Sequence, residues 1–277
     1  MDDLDGRIAV ITGGASGIGK GMAEAFAAHG MKLVLADVEK AVLHATAGEL
    51  REAGAEVLEV ICDVRSPESV EALAERTYEV YGAAHVVCNN AGVGAGGPLW
   101  QVPIADWKWV LEVNLMGVVH GIAAFVPRMI DGGDEGCIVN TASMAGFISG
   151  PSMGPYNASK QAVVAITETL LWDLMMVGSA VTASVLCPGW VNTNILSSGR
   201  NRPDEFGGVV VADNDRMGLP TEVVLTGHPP RFVGDLVVAG VRAKELYIFT
   251  DDDFAEVVEG RFTSVRARQK SMARGAG

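Results

Sequence analysis

The chain has 277 residues, of which 49% are hydrophobic and 34 are glycine, a composition that suits a well-buried core. Its net charge of −13 and its lack of a basic block argue against nucleic acid or an anionic membrane as the main partner. The acidic start precedes no apolar signal region, and the longest apolar stretch, residues 115–127, is too short and too interrupted to span about 30 Å of hydrocarbon. We therefore expect a cytoplasmic protein.

Seven short apolar runs predict strands, and longer amphipathic stretches between them predict helices. The predicted strands are residues 8–12, 32–36, 57–62, 85–89, 136–141, 181–186 and 246–249. The predicted helices are residues 17–29, 39–53, 67–81, 105–130, 155–177 and 229–243. Strands that are apolar on both faces and alternate with helices indicate a doubly wound α/β fold. We expect residues 1–277 to form a single Rossmann-like domain with a seven-stranded parallel sheet and helices on both faces.

The C-terminal part contains segments that depart from this regular alternation. Residues 190–228 have scattered glycines and weak periodicity, which predicts a substrate-binding loop or lid, although an irregular surface excursion is the alternative. The acidic residues 251–253 predict a helix start, and residues 261–274 predict a solvated helix face.

The four cysteines lie in or beside predicted strands, which predicts reduced thiols in the core. The spacing of the histidines predicts no catalytic metal.

The first strand runs into the glycine-rich turn TGGASGIG at residues 12–19, and a helix follows. Glycines at this place permit a tight turn and let backbone N–H groups approach a pyrophosphate at the helix N-terminus. The turn therefore predicts a dinucleotide site formed by Gly13, Ser16, Gly17, Ile18 and Gly19.

The second strand is followed by Asp37 and Val38. A carboxylate here can accept hydrogen bonds from the ribose hydroxyls of adenosine, and it would repel the additional phosphate of NADP. Because no Arg or Lys follows directly, and Ser16 rather than a basic residue stands in the glycine turn, the sequence favours NAD. A helix-capping role for Asp37 is the alternative.

Two further segments stand at the carboxyl ends of predicted strands. Asp63 and Val64 follow the third strand, where the carboxylate could contact the adenine amino group. Asn90, Ala91 and Gly92 follow the fourth strand, and their small side chains would let the backbone lie close to a cofactor. Each segment alone fits a simple turn, but their shared position favours one site.

Tyr156 and Lys160 are four residues apart in a predicted helix, so they share a face. Lowering the pKa of a free tyrosine from about 10 to about 7 takes about 4 kcal/mol. One ammonium about 4 Å away supplies roughly that amount at an effective dielectric constant near 20. We therefore expect Lys160, helped by the positive charge of oxidised nicotinamide, to make Tyr156 a general base.

Ser143 and Asn114 complete the predicted catalytic group. Ser143 follows the fifth strand and can hydrogen-bond a substrate oxygen near Tyr156. Asn114 is a polar residue among apolar neighbours in the long fourth helix, and it could hold a water that carries protons from Lys160 to solvent. The combination predicts oxidation of a secondary alcohol or reduction of a ketone.

Together these motifs resemble the short-chain dehydrogenase/reductase family over about residues 5–250. The matching segments are TGGASGIG at 12–19, Asp37, Asp63, NNAG at 89–92, YNASK at 156–160 and PGWVNT at 188–193. The resemblance implies a tetrad of Asn114, Ser143, Tyr156 and Lys160, in which Tyr156 is the acid/base and Lys160 binds the nicotinamide ribose. It also implies cofactor contacts from Pro188, Gly189, Val191 and Thr193, the last two with the nicotinamide amide. The three-residue gap between Tyr and Lys disfavours the enoyl reductases of the family.

The substrate pocket is expected to include Met144, Met153 and Trp190, with residues 94–99 and the loop 190–228. Met and Trp supply adaptable apolar surface, which favours a hydrophobic alcohol over a polyol or a phosphorylated sugar. Ordinary core packing is the alternative for the two methionines. Segments 193–207 and 245–250 resemble a subgroup that acts on bulky aryl-ether, terpene or steroid-like alcohols.

The resemblance further implies a homotetramer whose interfaces use the helices that carry Asn114 and Tyr156, and the apolar run 162–171 fits such an interface. The sequence thus predicts an NAD-dependent alcohol dehydrogenase or ketone reductase. A non-catalytic NAD(H)-sensing regulatory protein on the same fold is the alternative. Such proteins usually lose the Tyr or the Lys, and both are present here.

Overall fold

The computed structural model describes residues 1, 3–209 and 221–275, with side chains up to residue 269. The strands are β1 (Ile8–Thr12), β2 (Lys32–Asp37), β3 (Val57–Ile61), β4 (Val86–Asn89), β5 (Gly136–Thr141), β6 (Val181–Cys187) and β7 (Tyr247–Phe249). The α-helices are α1 (Gly17–Ala27), α2 (Lys40–Glu52), α3 (Pro67–Tyr81), α4 (Ile104–Leu111), α5 (Gly117–Gly132), α6 (Gly154–Met176), α7 (Thr221–Leu225), α8 (Pro230–Ala243) and α9 (Ala255–Gly275).

All seven strands run parallel in one sheet, in the order β3-β2-β1-β4-β5-β6-β7. From β1 the chain adds β2 and β3 on one side, and then crosses over to add β4 to β7 on the other side. This change of direction places the connecting helices on both faces of the sheet. This reversal opens a crevice beyond the carboxyl ends of the strands. The predicted doubly wound, seven-stranded parallel fold is therefore confirmed.

Two hydrophobic layers enclose the sheet. One contains Met22 and Phe26 of α1 with Val237 of α8, and the other contains Trp109 of α4 and Phe125 of α5. Helices α1 and α8 approach each other closely, because a Cβ atom at Gly21 would lie 2.1 Å from the carbonyl oxygen of Pro230. The four cysteines are buried and free, as predicted.

A buried polar chain crosses the second layer. The Asn89 side-chain amide donates to Asn140 Oδ1 (2.9 Å), and Asn140 Nδ2 donates to Thr167 Oγ1 (3.0 Å). Thr167 in turn donates to the carbonyl of Val163 at 2.7 Å. Because buried amides lose stability when unpaired, this chain ties β4, β5 and α6 in one register beneath the crevice.

The long predicted fourth helix is interrupted where the sequence shows no break. A single π-helical turn, Glu112–Met116, joins α4 to α5. The joined segment Ile104–Gly132 is long and apolar enough by length and composition to cross a membrane, yet 56% of its most apolar window is buried inside the protein. It packs against α3 and α6, as the core helix of a globular domain does.

The C-terminal expectations hold in part. The last helix begins at Ala255, just after the acidic residues 251–253, and Asp251 accepts from Thr250 Oγ1 (2.6 Å). The face of α9 is exposed up to residue 269, as predicted for a solvated helix. Within the predicted loop 190–228, residues 210–220 lie outside the described residues. Helix α7 also lies within this loop and was not predicted.

The buried polar chain yields a stability prediction. Thr167→Val keeps the volume of the side chain but leaves Asn140 Nδ2 without its acceptor, so the free energy of unfolding should fall by about 1–3 kcal/mol. Urea denaturation measures it. Thr169→Val is the matched control, because exposed Thr169 makes the same bond to the carbonyl four residues earlier. Equal losses in both variants would contradict the role of the chain.

Candidate active site

A cavity of about 610 Å³ occupies the crevice at the carboxyl ends of the strands. It brings together nearly all the residues singled out from the sequence. Those that line it are Gly13, Ser16, Gly17, Ile18, Asp37, Val38, Asp63, Val64, Asn90, Ala91, Gly92, Ser143, Met144, Met153, Tyr156, Lys160, Pro188, Gly189, Trp190, Val191 and Thr193. Two predicted site residues, Gly19 and Asn114, lie behind its wall instead, and residues 94–99, which were expected in the substrate pocket, do not line it.

The glycine turn is shaped to expose the start of α1 to the cavity. Gly13 and Gly17 have positive φ angles of 64° and 52°, which favour glycine. A Cβ at Gly19 would lie 2.0 Å from the carbonyl oxygen of Gly13, so Gly19 serves the close packing of helix on turn. Ser16 makes no side-chain cap, which leaves the first amides of α1 available to an anion.

Asp37 ends β2 with its carboxylate held in place by the backbone. Oδ2 accepts from the N–H of Ala15 (3.1 Å), and Oδ1 accepts from the N–H of Glu39 (3.0 Å). Burial raises the pKa of Asp37, and these two hydrogen bonds oppose the rise. Helix α2 starts at Lys40 after Glu39, so the bonds of Asp37 do not cap it. The carboxylate is placed for a ligand in the cavity.

The carboxylate of Asp63 is paired with a basic residue of the protein. Its Oδ2 accepts from Arg65 Nη2 at 2.6 Å and its Oδ1 from the Arg65 N–H at 3.0 Å. Arg65 also pairs with Glu205. Asp63 thus lines the cavity with a carboxylate that Arg65 already shares, and its contact with adenine stays a prediction. Arg65 was not predicted from the sequence, because no motif marks it as the ion-pair partner of Asp63.

Asn114 sits in the π-helical turn and is fully buried. Its Oδ1 accepts from the N–H of Val93 (2.8 Å), while its Nδ2 donates to the carbonyl of Val93 (3.0 Å) and to Ser159 Oγ (3.2 Å). A side-chain position at Gly92 would be 3.6 Å from both Asn114 Oδ1 and Lys160 Nζ. Asn114 therefore clamps the segment after β4 beside Lys160, and its predicted water relay is a separate hypothesis. Such π-turns often occur at functional sites.

Tyr156, Lys160 and Ser143 converge at the inner end of the cavity. Lys160 Nζ donates to the carbonyl of Thr141 (2.8 Å) and lies 5.5 Å from the centre of the Tyr156 ring. The Ser143 hydroxyl hydrogen-bonds the Tyr156 hydroxyl and so lowers the Tyr156 pKa. Burial is the larger effect, however, and raises that pKa, while burial lowers the pKa of Lys160 to about 8.

The expected lowering of the Tyr156 pKa by Lys160 is therefore wrong for the protein groups by themselves. The ammonium lies 5.5 Å from the centre of the Tyr156 ring. Desolvation disfavours the charged form of both groups, the Tyr156 phenolate and the Lys160 ammonium. Each charge is therefore less available to stabilise the other. Positive charge beside the Tyr156 hydroxyl would favour the phenolate and so oppose the effect of burial on this pKa.

The outer part of the cavity is largely apolar. Met144, Met153 and Trp190 line it as predicted, and Trp109, Val113, Ile148, Ile195 and Phe254 line it as well. The Trp190 and Phe254 rings pack with their centres 6.3 Å apart. Phe254 was missed because it follows β7, far along the chain from the motifs. In the described residues, no group of three His, Cys, Asp or Glu is placed to bind a metal.

A strap, residues 194–206, crosses the mouth of the cavity. Its Arg200 pairs with Glu39 (2.6 Å), and its Arg202 pairs with Asp106 (2.5 Å). Ser198 Oγ accepts from the N–H of Gly94 (2.9 Å). Both arginines are thus engaged by carboxylates of the protein, and the strap presents neither of them to a substrate anion.

The fold, the glycine turn and the convergent Ser, Tyr and Lys define a dinucleotide-linked oxidoreductase of Rossmann type. A sequence model described as short chain dehydrogenase matches residues 7–204. The chain belongs to the short-chain dehydrogenase family.

Relatives at 32–42% identity cover four fifths of the chain or more. A solved structure of a short chain dehydrogenase/reductase from Burkholderia phymatum, in complex with NAD, is 42% identical, has a TM-score of 0.93 and covers 97% of each chain. A 1-deoxy-11-beta-hydroxypentalenate dehydrogenase from Streptomyces exfoliatus is 42% identical over 80% of each chain. A C alpha-dehydrogenase from Sphingobium sp. is 32% identical over 96% of this chain and 87% of its own.

Burial of Lys160 leads to a pH prediction. The unfolded chain keeps the lysine proton up to an ordinary pKa of about 10.4, whereas folded Lys160 releases it near its pKa of about 8. Because the unfolded state then binds more protons, the stability of the wild type should rise between pH 8 and 10 relative to Lys160→Met, by up to about 3 kcal/mol.

Urea unfolding at pH 7.5, 8.5 and 9.5 measures the difference. Lys20→Met, which removes a lysine paired with Glu49 on the surface, is the matched control and should follow the wild type. Parallel curves for the wild type and Lys160→Met would show that Lys160 does not titrate as a buried base.

Proposed function

We propose that the chain is an NAD-dependent dehydrogenase that oxidises a bulky hydrophobic secondary alcohol, or reduces the corresponding ketone. The observation that carries the proposal is the convergence of Ser143, Tyr156 and Lys160 at the inner end of a cavity whose other end is lined by the glycine turn and Asp37. The NAD complex of the Burkholderia phymatum relative supports the choice of cofactor.

The residues of the cavity fit this dinucleotide. The uncapped start of α1, opened by Gly17, suits a pyrophosphate, and the preoriented Asp37 carboxylate suits ribose hydroxyls. Pro188, Gly189, Val191 and Thr193 line the same cavity and are proposed to hold the nicotinamide end. When bound, oxidised NAD supplies a hydride acceptor and a positive charge beside Tyr156.

The protein residues then divide the work of proton transfer. Ser143 donates to the substrate oxygen and holds it beside Tyr156, which in its phenolate form takes the proton of the substrate hydroxyl and becomes neutral. Lys160, held by the Thr141 carbonyl and titrating at a pKa of about 8, exchanges protons near neutral pH. Asn114 fixes the Val93 backbone beside these groups. Reduction of the ketone uses the same groups in reverse.

The substrate class is inferred from the wall of the outer cavity. Met144, Met153, Trp190 and Phe254 present adaptable apolar surface. The two arginines of the strap are paired with Glu39 and Asp106, so they do not offer a clamp for a carboxylate or phosphate. The relative named as a hydroxypentalenate dehydrogenase also supports a hydroxylated substrate.

Tyr156→Phe tests the mechanism directly. Loss of the hydroxyl should lower kcat/KM for alcohol oxidation by about 10²–10⁴-fold, because the general base is removed. NAD reduction is followed by absorbance across secondary alcohols of increasing apolar size, and kcat/KM should rise about fourfold per buried methylene until the cavity is full.

Tyr81→Phe on α3, outside the cavity, is the matched control and should keep wild-type rates. Activity that survives in Tyr156→Phe would overturn the mechanism. Preference for short polyols would overturn the substrate class. Binding of NAD without turnover of any alcohol would favour the sensor alternative.

We also propose that the protein is a cytoplasmic homotetramer. Much of the apolar run 162–171 is buried against the sheet. The following turns of α6 nevertheless expose Trp172 (64%) and Met176 (84%), and β7 forms an open edge of the sheet with exposed Phe249. Apolar surface of this kind is typical of interfaces.

Light scattering in line with gel filtration should therefore give about four times the chain mass of 29.0 kDa. The double variant Trp172→Glu/Met176→Glu should lower that mass, since charge replaces buried apolar area. Val80→Glu, at an exposed apolar residue of α3, is the control and should not. A wild-type monomer would contradict the proposal.

A further inference from the structure

Glu39 is the second residue after Asp37, at the adenosine end of the cavity. Its backbone N–H donates to Asp37 Oδ1 (3.0 Å), and both residues line the cavity. Although burial opposes it, hydrogen bonds from Arg200 and Asn201 hold the pKa of Glu39 below its usual value. Glu39 is therefore a carboxylate anion at the place where the ribose of a dinucleotide would lie.

Three donors from the strap surround this anion. Arg200 donates through Nε to Glu39 Oε2 (3.2 Å) and through Nη2 to Oε1 (2.6 Å), a bidentate contact along one edge of the guanidinium. Asn201 Nδ2 donates to the same Oε1 at 2.9 Å. Arg–carboxylate and Arg–phosphate pairs share this bidentate geometry.

Arg200 does not depend on Glu39 for its position. Its Nη1 donates to the carbonyl oxygens of Asn194 (3.3 Å) and Ser197 (3.1 Å) and to Ser197 Oγ (3.3 Å). The strap itself thus holds the guanidinium through Nη1, while its Nε–Nη2 edge faces Glu39 at the cavity wall. Without the negative charge of Glu39, that edge would present two donors and a full positive charge to an anion.

We propose that Arg200 and Asn201 form a latent binding site for the 2′-phosphate of NADP, and that the Glu39 carboxylate occupies this site. Glu39 is then a determinant of NAD preference that acts with Asp37. Asp37 repels the phosphate, whereas Glu39 removes the cation that would attract it. The inference rests on the proposed use of a dinucleotide.

Arg65 is another cation of the cavity wall that a phosphate could use. Its guanidinium is taken by Asp63 at 2.6 Å and by Glu205. We therefore expect any gain of phosphate binding to come from Arg200. Substitution of Arg200 shows which of the two arginines binds the phosphate.

The test measures dissociation constants of NAD and NADP by calorimetry, without turnover. In an Asp37→Ser background, which removes the direct repulsion, adding Glu39→Gln should tighten NADP relative to NAD by at least tenfold. Adding Arg200→Met to that pair should abolish the gain. Thermal melting of each variant checks that the fold is retained.

The matched control is Glu49→Gln in the same Asp37→Ser background. Glu49 pairs with Lys20 outside the cavity wall, so this variant changes net charge equally without releasing Arg200. An equal NADP gain with Glu49→Gln, or a gain that survives Arg200→Met, would overturn the inference. So would an unchanged NADP-to-NAD ratio in the Glu39→Gln variant. Failure of the wild type to bind NAD would instead overturn the proposed function.

Discussion

The site depends on a lysine that the fold buries. Lys160 is only 3% exposed, and its ammonium has the Thr141 carbonyl as its hydrogen-bond partner. Removing an ammonium from water is costly unless hydrogen bonds compensate, and here the compensation is partial, so the pKa falls to about 8. The protein thereby holds a proton that is neither firmly bound nor absent near neutral pH, which is the condition for a group that relays protons.

The surrounding structure serves to hold that lysine in place. Helix α6 carries it, the Asn89–Asn140–Thr167 chain fixes α6 against the sheet, and Asn114 closes the other side through Val93. Of the residues that make these contacts, Val93 lines the cavity, whereas Asn89, Asn114, Asn140 and Thr167 lie behind its wall. Their hydrogen bonds nevertheless help to position the residues that form the site. The buried polar residues thus have two roles: the asparagines and Thr167 are hydrogen-bonded supports, and Lys160 is a functional group of the site.

The fold and the linear motifs could be predicted from the sequence because they depend on local pattern. Apolar runs marked the strands to within a residue or two, and the glycine turn and the Tyr–Lys spacing identified the two ends of the cavity. The π-turn at Asn114 could not be predicted, since the apolar periodicity of the segment continues through it. Glu39 with Arg200, and Trp190 with Phe254, are contacts between distant segments and leave no periodic signal. The direction of the Tyr156 pKa shift was misjudged because burial has the largest effect on it, and burial cannot be inferred from the spacing of Tyr and Lys in the sequence.

The strap ties together parts of the chain that are otherwise far apart. Arg200 reaches Glu39 at the start of α2, while Arg202 reaches Asp106 in α4 and lies over the Trp109 ring. Ion pairs at a protein surface weaken as salt screens them, and the Glu39 pair is the more exposed of these two. For a nucleotide held beneath the strap, ionic strength would therefore govern how long it stays, acting on its escape rather than on the proton transfers at Tyr156.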